Sequence, residues 1–173
     1  MREAFIDLFD RDYRLVVRFL MRCGISLEDS KDAAQEAFIA GWQLLTQRPE
    51  EWMAIAEPRG WIRTVALRAY HRPPGQRRRQ VPIAWDEELP QQPASGGNPA
   101  GPAILHRDLL FALSSLPKSQ RIAMAFRLDD MPSTATAAHL GITEQQANYL
   151  LKKARASLKS SLTAYRIREG DRR

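Results

Sequence analysis

The chain has a single cysteine and three histidines in 173 residues. Cys23 alone excludes an internal disulfide and any cysteine-cluster metal site. It follows Val16, Phe19 and Leu20 on a helical apolar face, where a packed thiol is the expected role. His71, His106 and His139 lie far apart in sequence, so neither a histidine metal centre nor a cofactor is expected. No apolar run approaches the roughly 20 residues of a membrane span. The opening Met1-Arg2-Glu3-Ala4-Phe5-Ile6-Asp7 carries acids where a signal peptide needs bases followed by an apolar stretch. A cytoplasmic chain without membrane insertion is the expectation. Gly-rich phosphate loops, nucleophile elbows and paired catalytic carboxylates are missing as well, so no enzyme is expected.

Convincing strands and internal repeats are also lacking, and the apolar residues recur at helical spacing. Phe5, Leu8, Phe9, Tyr13, Val16, Val17 and Leu20 form one stripe, closed by Gly24. Ser26 can cap a second helix reaching about residue 47, with Ala33, Ala37, Phe38, Trp42 and Leu45 turned inward. Residues 50–57 read as a connector. Pro58 opens a third helix, 59–72, which Pro73-Pro74-Gly75 terminates. The reading is all-α: two small helical domains, 1–72 and 104–173, joined by a Pro/Gly-rich flexible linker, 73–103. The linker holds a basic run (Arg77, Arg78, Arg79), an apolar patch (Val81, Ile83, Trp85) and an acidic run (Asp86, Glu87, Glu88).

Charge separates the domains. Residues 1–72 carry 11 basic and 11 acidic side chains, whereas residues 104–173 carry 12 and 6, which accounts for the whole excess of six. A basic module beside a neutral one points to nucleic acid for the first and another partner for the second. Within the basic module, residues 133–155 read as a helix-turn-helix. Small Ala137 admits a close helix crossing, Gly141 supplies the turn, and Ile142 plugs it from beneath. Thr143 with Gln146 makes a capping box, and Ala147, Leu150, Leu151, Ala154 and Leu158 form a buried stripe. The opposite face presents Gln145, Gln146, Asn148, Tyr149, Lys152, Lys153 and Arg155. Amides near the helix N-terminus can pair with base edges, and bases further along can hold phosphates.

Two motifs mark the first domain. Asp29, Asp32 and Glu36, bordered by Gln35, share one helix face and suit a basic helical partner; they also suit a plain solvated face. The third helix interleaves Trp61, Tyr70 and His71 with Arg59, Arg63, Arg68 and Arg72. Aromatics that stack on unpaired bases, beside arginines that hold the backbone, are the chemistry of single-strand binding. Trp61 fits a core position equally well.

Together these motifs resemble the extracytoplasmic-function (group IV) sigma factors of the sigma-70 family. Asp29-Ser-Lys-Asp-Ala-Ala-Gln-Glu-Ala-Phe38, followed by Trp42, resembles region 2.2. The resemblance implies core RNA polymerase binding through Asp29, Asp32, Gln35, Glu36 and Phe38, docked on the β′ clamp, with the β flap as a second polymerase contact. Arg59-Gly-Trp-Ile-Arg-Thr-Val-Ala-Leu-Arg68 resembles region 2.3, which implies a role at the −10 element of promoter DNA. Leu116-Pro-Lys-Ser-Gln-Arg121 is similar to the start of region 4, and Leu140-Gly-Ile142 with Lys153-Ala-Arg155 to region 4.2, the reader of the −35 element. An anti-sigma factor is a further partner that the resemblance leaves open. Lys31, Arg68, Pro73-Pro74 and Asn148-Tyr149-Leu150 depart from the family pattern, so promoter sequence does not carry over. The competing readings are a helix-turn-helix regulator with a ligand-sensing N-terminal domain, and an interaction module that binds polymerase or an anti-sigma factor without directing initiation.

Overall fold

The computed structural model describes residues 1–72 and 100–170, with side chains over 1–72 and 107–160. Eight helices and no strand occur among the described residues: α1 Arg2–Arg22, α2 Leu27–Gln47, α3 Pro49–Met53, α4 Pro58–Tyr70, α5 Ala100–Ser114, α6 Lys118–Leu128, α7 Ser133–Leu140 and α8 Glu144–Gly170. The fold is all-α, as the periodicity requires. Ser26 caps α2, its hydroxyl accepting the Asp29 N–H at 3.1 Å. Two local expectations are corrected. The connector 50–57 contains a short helix, started by Pro49 and held by Trp52, which is buried against Phe5. The linker expected over 73–103 gives way to α5 already at Ala100. Pro102 falls in the first turn of that helix, where its missing N–H breaks no bond. The charged and apolar runs of residues 77–88 lie outside the described residues.

The first hydrophobic cluster is built by α1, α2 and α4. Val16, Phe19, Leu20, Ala34, Ala37 and Ala66 are fully enclosed, and Phe5, Phe9, Tyr13 and Phe38 pack edge-on or tilted with centroids 5.1–6.3 Å apart. A second, smaller cluster joins Leu113 of α5, Ala123 and Met124 of α6 and Leu151 and Ala154 of α8 with Leu116, which lies between α5 and α6. Arg121 braces it by donating to the carbonyls of Ser114 and Leu116 at 3.0 and 2.9 Å.

The two groups of helices also touch. Ala125, Phe126 and Met131 belong to the first cluster, and Phe126 packs edge-on against Phe19 at 4.8 Å. One face of α6 therefore serves its own cluster while the opposite face closes the N-terminal one.

Candidate nucleic-acid interface

The turn of the helix-turn-helix follows from Gly141. Its φ of 67° lets the Gly141 N–H reach the Ala138 carbonyl and the Ile142 N–H reach that of Ala137, at 3.4 and 3.1 Å. This double bond satisfies the end of α7 and fixes its angle to α8. At the start of α8 the capping box forms reciprocally. The Thr143 N–H donates to Gln146 Oε1 at 2.9 Å, and the Gln146 N–H donates to Thr143 Oγ1 at 3.2 Å. Ala147, Leu151 and Ala154 are buried, with Leu150 and Leu158 packed beside them. Gln145, Gln146, Asn148, Tyr149, Lys152, Lys153 and Arg155 are all exposed on the other side. Lys153 lies over the Tyr149 ring at 5.6 Å. The Oε1 of Gln146 is committed to the cap, which leaves Gln145, Asn148 and Tyr149 as the uncommitted polar groups of the first two turns.

The seven residues expected for the −10 element do not form one surface. Trp61 and Arg68, seven residues apart, share one side of α4, where Arg68 is exposed and Trp61 half-buried edge-on against Trp52 at 5.7 Å. Arg72, half-buried just beyond α4, lies 3.9 Å from Glu36 and so ties this side to the acidic face of α2. His71 is exposed and Tyr70 half-buried, their rings 5.1 Å apart. Burial and the neighbouring Lys118 hold the His71 imidazole below its ordinary pKa. Arg59 and Arg63 occupy the opposite side. Arg59 donates to Asp12 at 2.8 Å, and Asp12, 1% exposed, also accepts from Arg11 at 2.9 Å.

Arg63 is also 1% exposed and donates through Nε to Asp129 at 2.6 Å and through Nη1 to the Arg59 carbonyl at 2.9 Å. Asp129 accepts in addition from Arg22 Nη1 at 2.5 Å. Neither Arg22, Asp12 nor Asp129 stands out in the sequence. Asp129 and Asp130 read there only as turn residues. The turn is what aims Asp129: Asp130 takes a φ of 61°, its N–H bonds the Arg127 carbonyl and the Met131 N–H bonds that of Phe126. Asp tolerates this left-handed conformation better than most residues.

On α2, Asp32 and Gln35 are exposed, while Asp29 and Glu36 are half-buried. Asp29 accepts the Ser26 hydroxyl at 2.7 Å, and Lys31 pairs with Glu28 at 3.0 Å rather than with the ridge. Phe38 is 3% exposed among Phe5, Phe9 and Tyr13, so it supports this face from beneath. No group of His, Cys, Asp and Glu suited to a metal ion occurs among the described residues, and no described helix is long and apolar enough to cross a membrane.

No curated protein matches the chain. Residues 106–158 match the family model described as Sigma-70, region 4. That stretch runs from within α5 through the exposed row of α8 and is similar to a sigma-70 region 4 domain.

Proposed function

We propose that this chain is a sigma factor of the extracytoplasmic-function type, which binds core RNA polymerase and directs promoter-specific initiation. The observation that carries the reading is the α8 face: an exposed row from Gln145 to Arg155, on a helix-turn-helix that matches sigma-70 region 4. Its early polar groups are placed for base edges of a −35 element and its later bases for phosphates. The exposed edge of α4 with Trp61 and Arg68, continued by Arg72, supports a second DNA contact at the −10 element. The Asp32, Gln35 and Glu36 face of α2 supports docking on a basic helical surface of core polymerase, an acidic face being unsuited to DNA.

Run-off transcription tests this directly. Purified core polymerase on genomic fragments should give discrete new transcripts only when the chain is added. Burial of Arg63 favours one second reading: a module that binds polymerase or an anti-sigma factor without directing initiation. Core binding without any chain-dependent transcript would select it over a sigma factor. Failure to bind core polymerase would dismiss both and favour a free-standing regulator.

A further inference from the structure

Guanidinium groups from two helices surround the carboxylate of Asp12, whose side chain is 1% exposed. Arg59 donates to Oδ1 at 2.8 Å and Arg11 to Oδ2 at 2.9 Å, each through Nε. Nη2 of Arg63 lies 3.8 Å from Oδ1. The buried carboxylate thus holds the Arg11 and Arg59 forks from behind and leaves their terminal nitrogens unspent. Neither Nη1 nor Nη2 of these two arginines makes a hydrogen bond among the described residues. Their side chains are 64% and 45% exposed, so the free N–H groups point outward from a fixed base.

They open on a cleft of about 370 Å³ between α1, α3 and the start of α4, a size that suits a small-molecule ligand. Phe5, Leu8 and Trp52 are its buried floor and the exposed Met53 is its rim. Phe5 meets Trp52 edge-on at 5.2 Å, so the floor offers no parallel faces to sandwich a planar ring. Unbranched, flexible Met53 adapts better to an alkyl chain. Charge sets the headgroup. Glu57 also lines the cleft, and Asp129 is matched by Arg22. Arg11, Arg59 and Arg63 therefore face only Asp12 and Glu57, which leaves one positive charge. A monoanion balances it, whereas a phosphate dianion overshoots against Glu57. Arg59 lies on the side of α4 opposite Trp61 and Arg68, so the cleft is separate from the edge proposed for DNA.

We propose that this cleft binds a single-chain fatty-acid carboxylate, with the headgroup on the terminal nitrogens of Arg11 and Arg59 and the chain laid over Phe5, Leu8, Trp52 and Met53. Two forks supplied by separate helices, α1 and α4, hold a planar carboxylate through charge-assisted hydrogen bonds.

The test is isothermal titration calorimetry on the full chain, with decanoate below its micellar concentration as the probe. The wild-type chain should bind one equivalent saturably. Decanol lacks the charge, acetate lacks the chain, and decyl phosphate carries a second charge toward Glu57. Each should bind at least about tenfold more weakly than decanoate. Arg11→Gln and Arg59→Gln should each weaken decanoate about tenfold, the scale of one lost charge-assisted hydrogen bond. Arg14→Gln removes an exposed arginine of α1 outside the cleft and should match wild type. Met53→Glu places a like charge at the rim without touching an ion pair, and should abolish binding at unchanged helicity, while Met53→Gln should keep it. The inference is overturned if the wild-type chain has no saturable site, or if any of the three comparison molecules binds as tightly as decanoate. It is equally overturned if Arg14→Gln weakens binding as much as Arg59→Gln, or if Met53→Glu binds like Met53→Gln. Should the arginine variants lose helicity, the two Met53 variants decide on the same criteria.

Discussion

Single side chains at the contact between the two helical groups set much of this molecule's behaviour. Phe126 is wholly enclosed, edge-on to Phe19, and its other ring neighbour is His139, nearly parallel at 5.8 Å. Phe126→Ala should cost about 3–5 kcal/mol in urea unfolding, from lost transfer energy and the cavity left behind. Phe111→Ala, at a ring 74% exposed, should change stability by less than about 0.5 kcal/mol. His139 is held below its ordinary pKa, first by burial, with Arg63 and Arg68 acting in the same direction and Glu57 opposing. A histidine with a lowered folded-state pKa stabilises the fold fully above the unfolded value near 6.5, and that contribution is lost as pH falls through the folded-state value. Unfolding midpoints should therefore drop as pH falls below about 6.5, and His139→Gln should flatten part of that drop. An unchanged pH profile in His139→Gln would assign the dependence to other groups, of which His71 is the nearest in kind.

At the scale of the element, the proposed function divides the labour of α8 along its length. Lys152, Lys153 and Arg155 follow the groups proposed to face bases by one to two turns, where the proposal has them reach phosphates. Lys152→Ala should weaken binding to all duplex sequences alike and lower the slope of log affinity against log salt by about 0.9. Tyr149→Ala should change which promoter is preferred and leave that slope nearly alone. Equal effects of the two substitutions would mean that α8 does not read bases, and specificity would pass to DNA shape. Gln146→Ala should act mainly through the broken capping box, destabilising by about 0.5–2 kcal/mol. The capping box, the left-handed glycine and the buried stripe were legible in the sequence because each depends on residues within one or two turns. The division of α4 into an exposed and a buried side was not, because alternating Arg and aromatic residues look the same from every direction until a neighbour covers one of them. On α2, Asp32→Arg with Glu36→Arg should abolish core polymerase binding at unchanged helicity, each lost charge-assisted contact at a desolvated interface costing about 2–5 kcal/mol. Retained capture of core polymerase by the double variant would remove the α2 face from the docking surface.

For the whole molecule, the decisive feature is that α6 serves two clusters. The reading of 73–103 as a Pro/Gly-rich linker predicts that trypsin cuts first at Arg77–Arg79. The two products should nevertheless elute together from gel filtration, because Phe126, Met131 and the Asp129 pairs hold the second group of helices on the first. Breaking a buried pair on one side leaves an uncompensated charge, at a cost of about 3–5 kcal/mol. Asp129→Ala should therefore let the products separate. Products that separate in the wild type would mean that this contact is too weak to persist without the covalent connection.

By itself the sequence determined the all-α class, helices α1, α2 and α4 to within a few residues, the cap at Ser26, the helix-turn-helix and which of its faces meets solvent. All of these rest on periodicity and on bonds between near neighbours in the chain, so local pattern suffices. The tertiary structure alone decided that Arg63 is buried rather than exposed, that Phe38 supports the acidic face from below, and that Asp129 joins Arg22 and Arg63 across 107 and 66 residues. Those outcomes depend on which charged groups end within 3 Å of each other after packing. No window of sequence contains that distance, since an arginine on a helix is written the same way whether its partner is water, a phosphate or a distant aspartate.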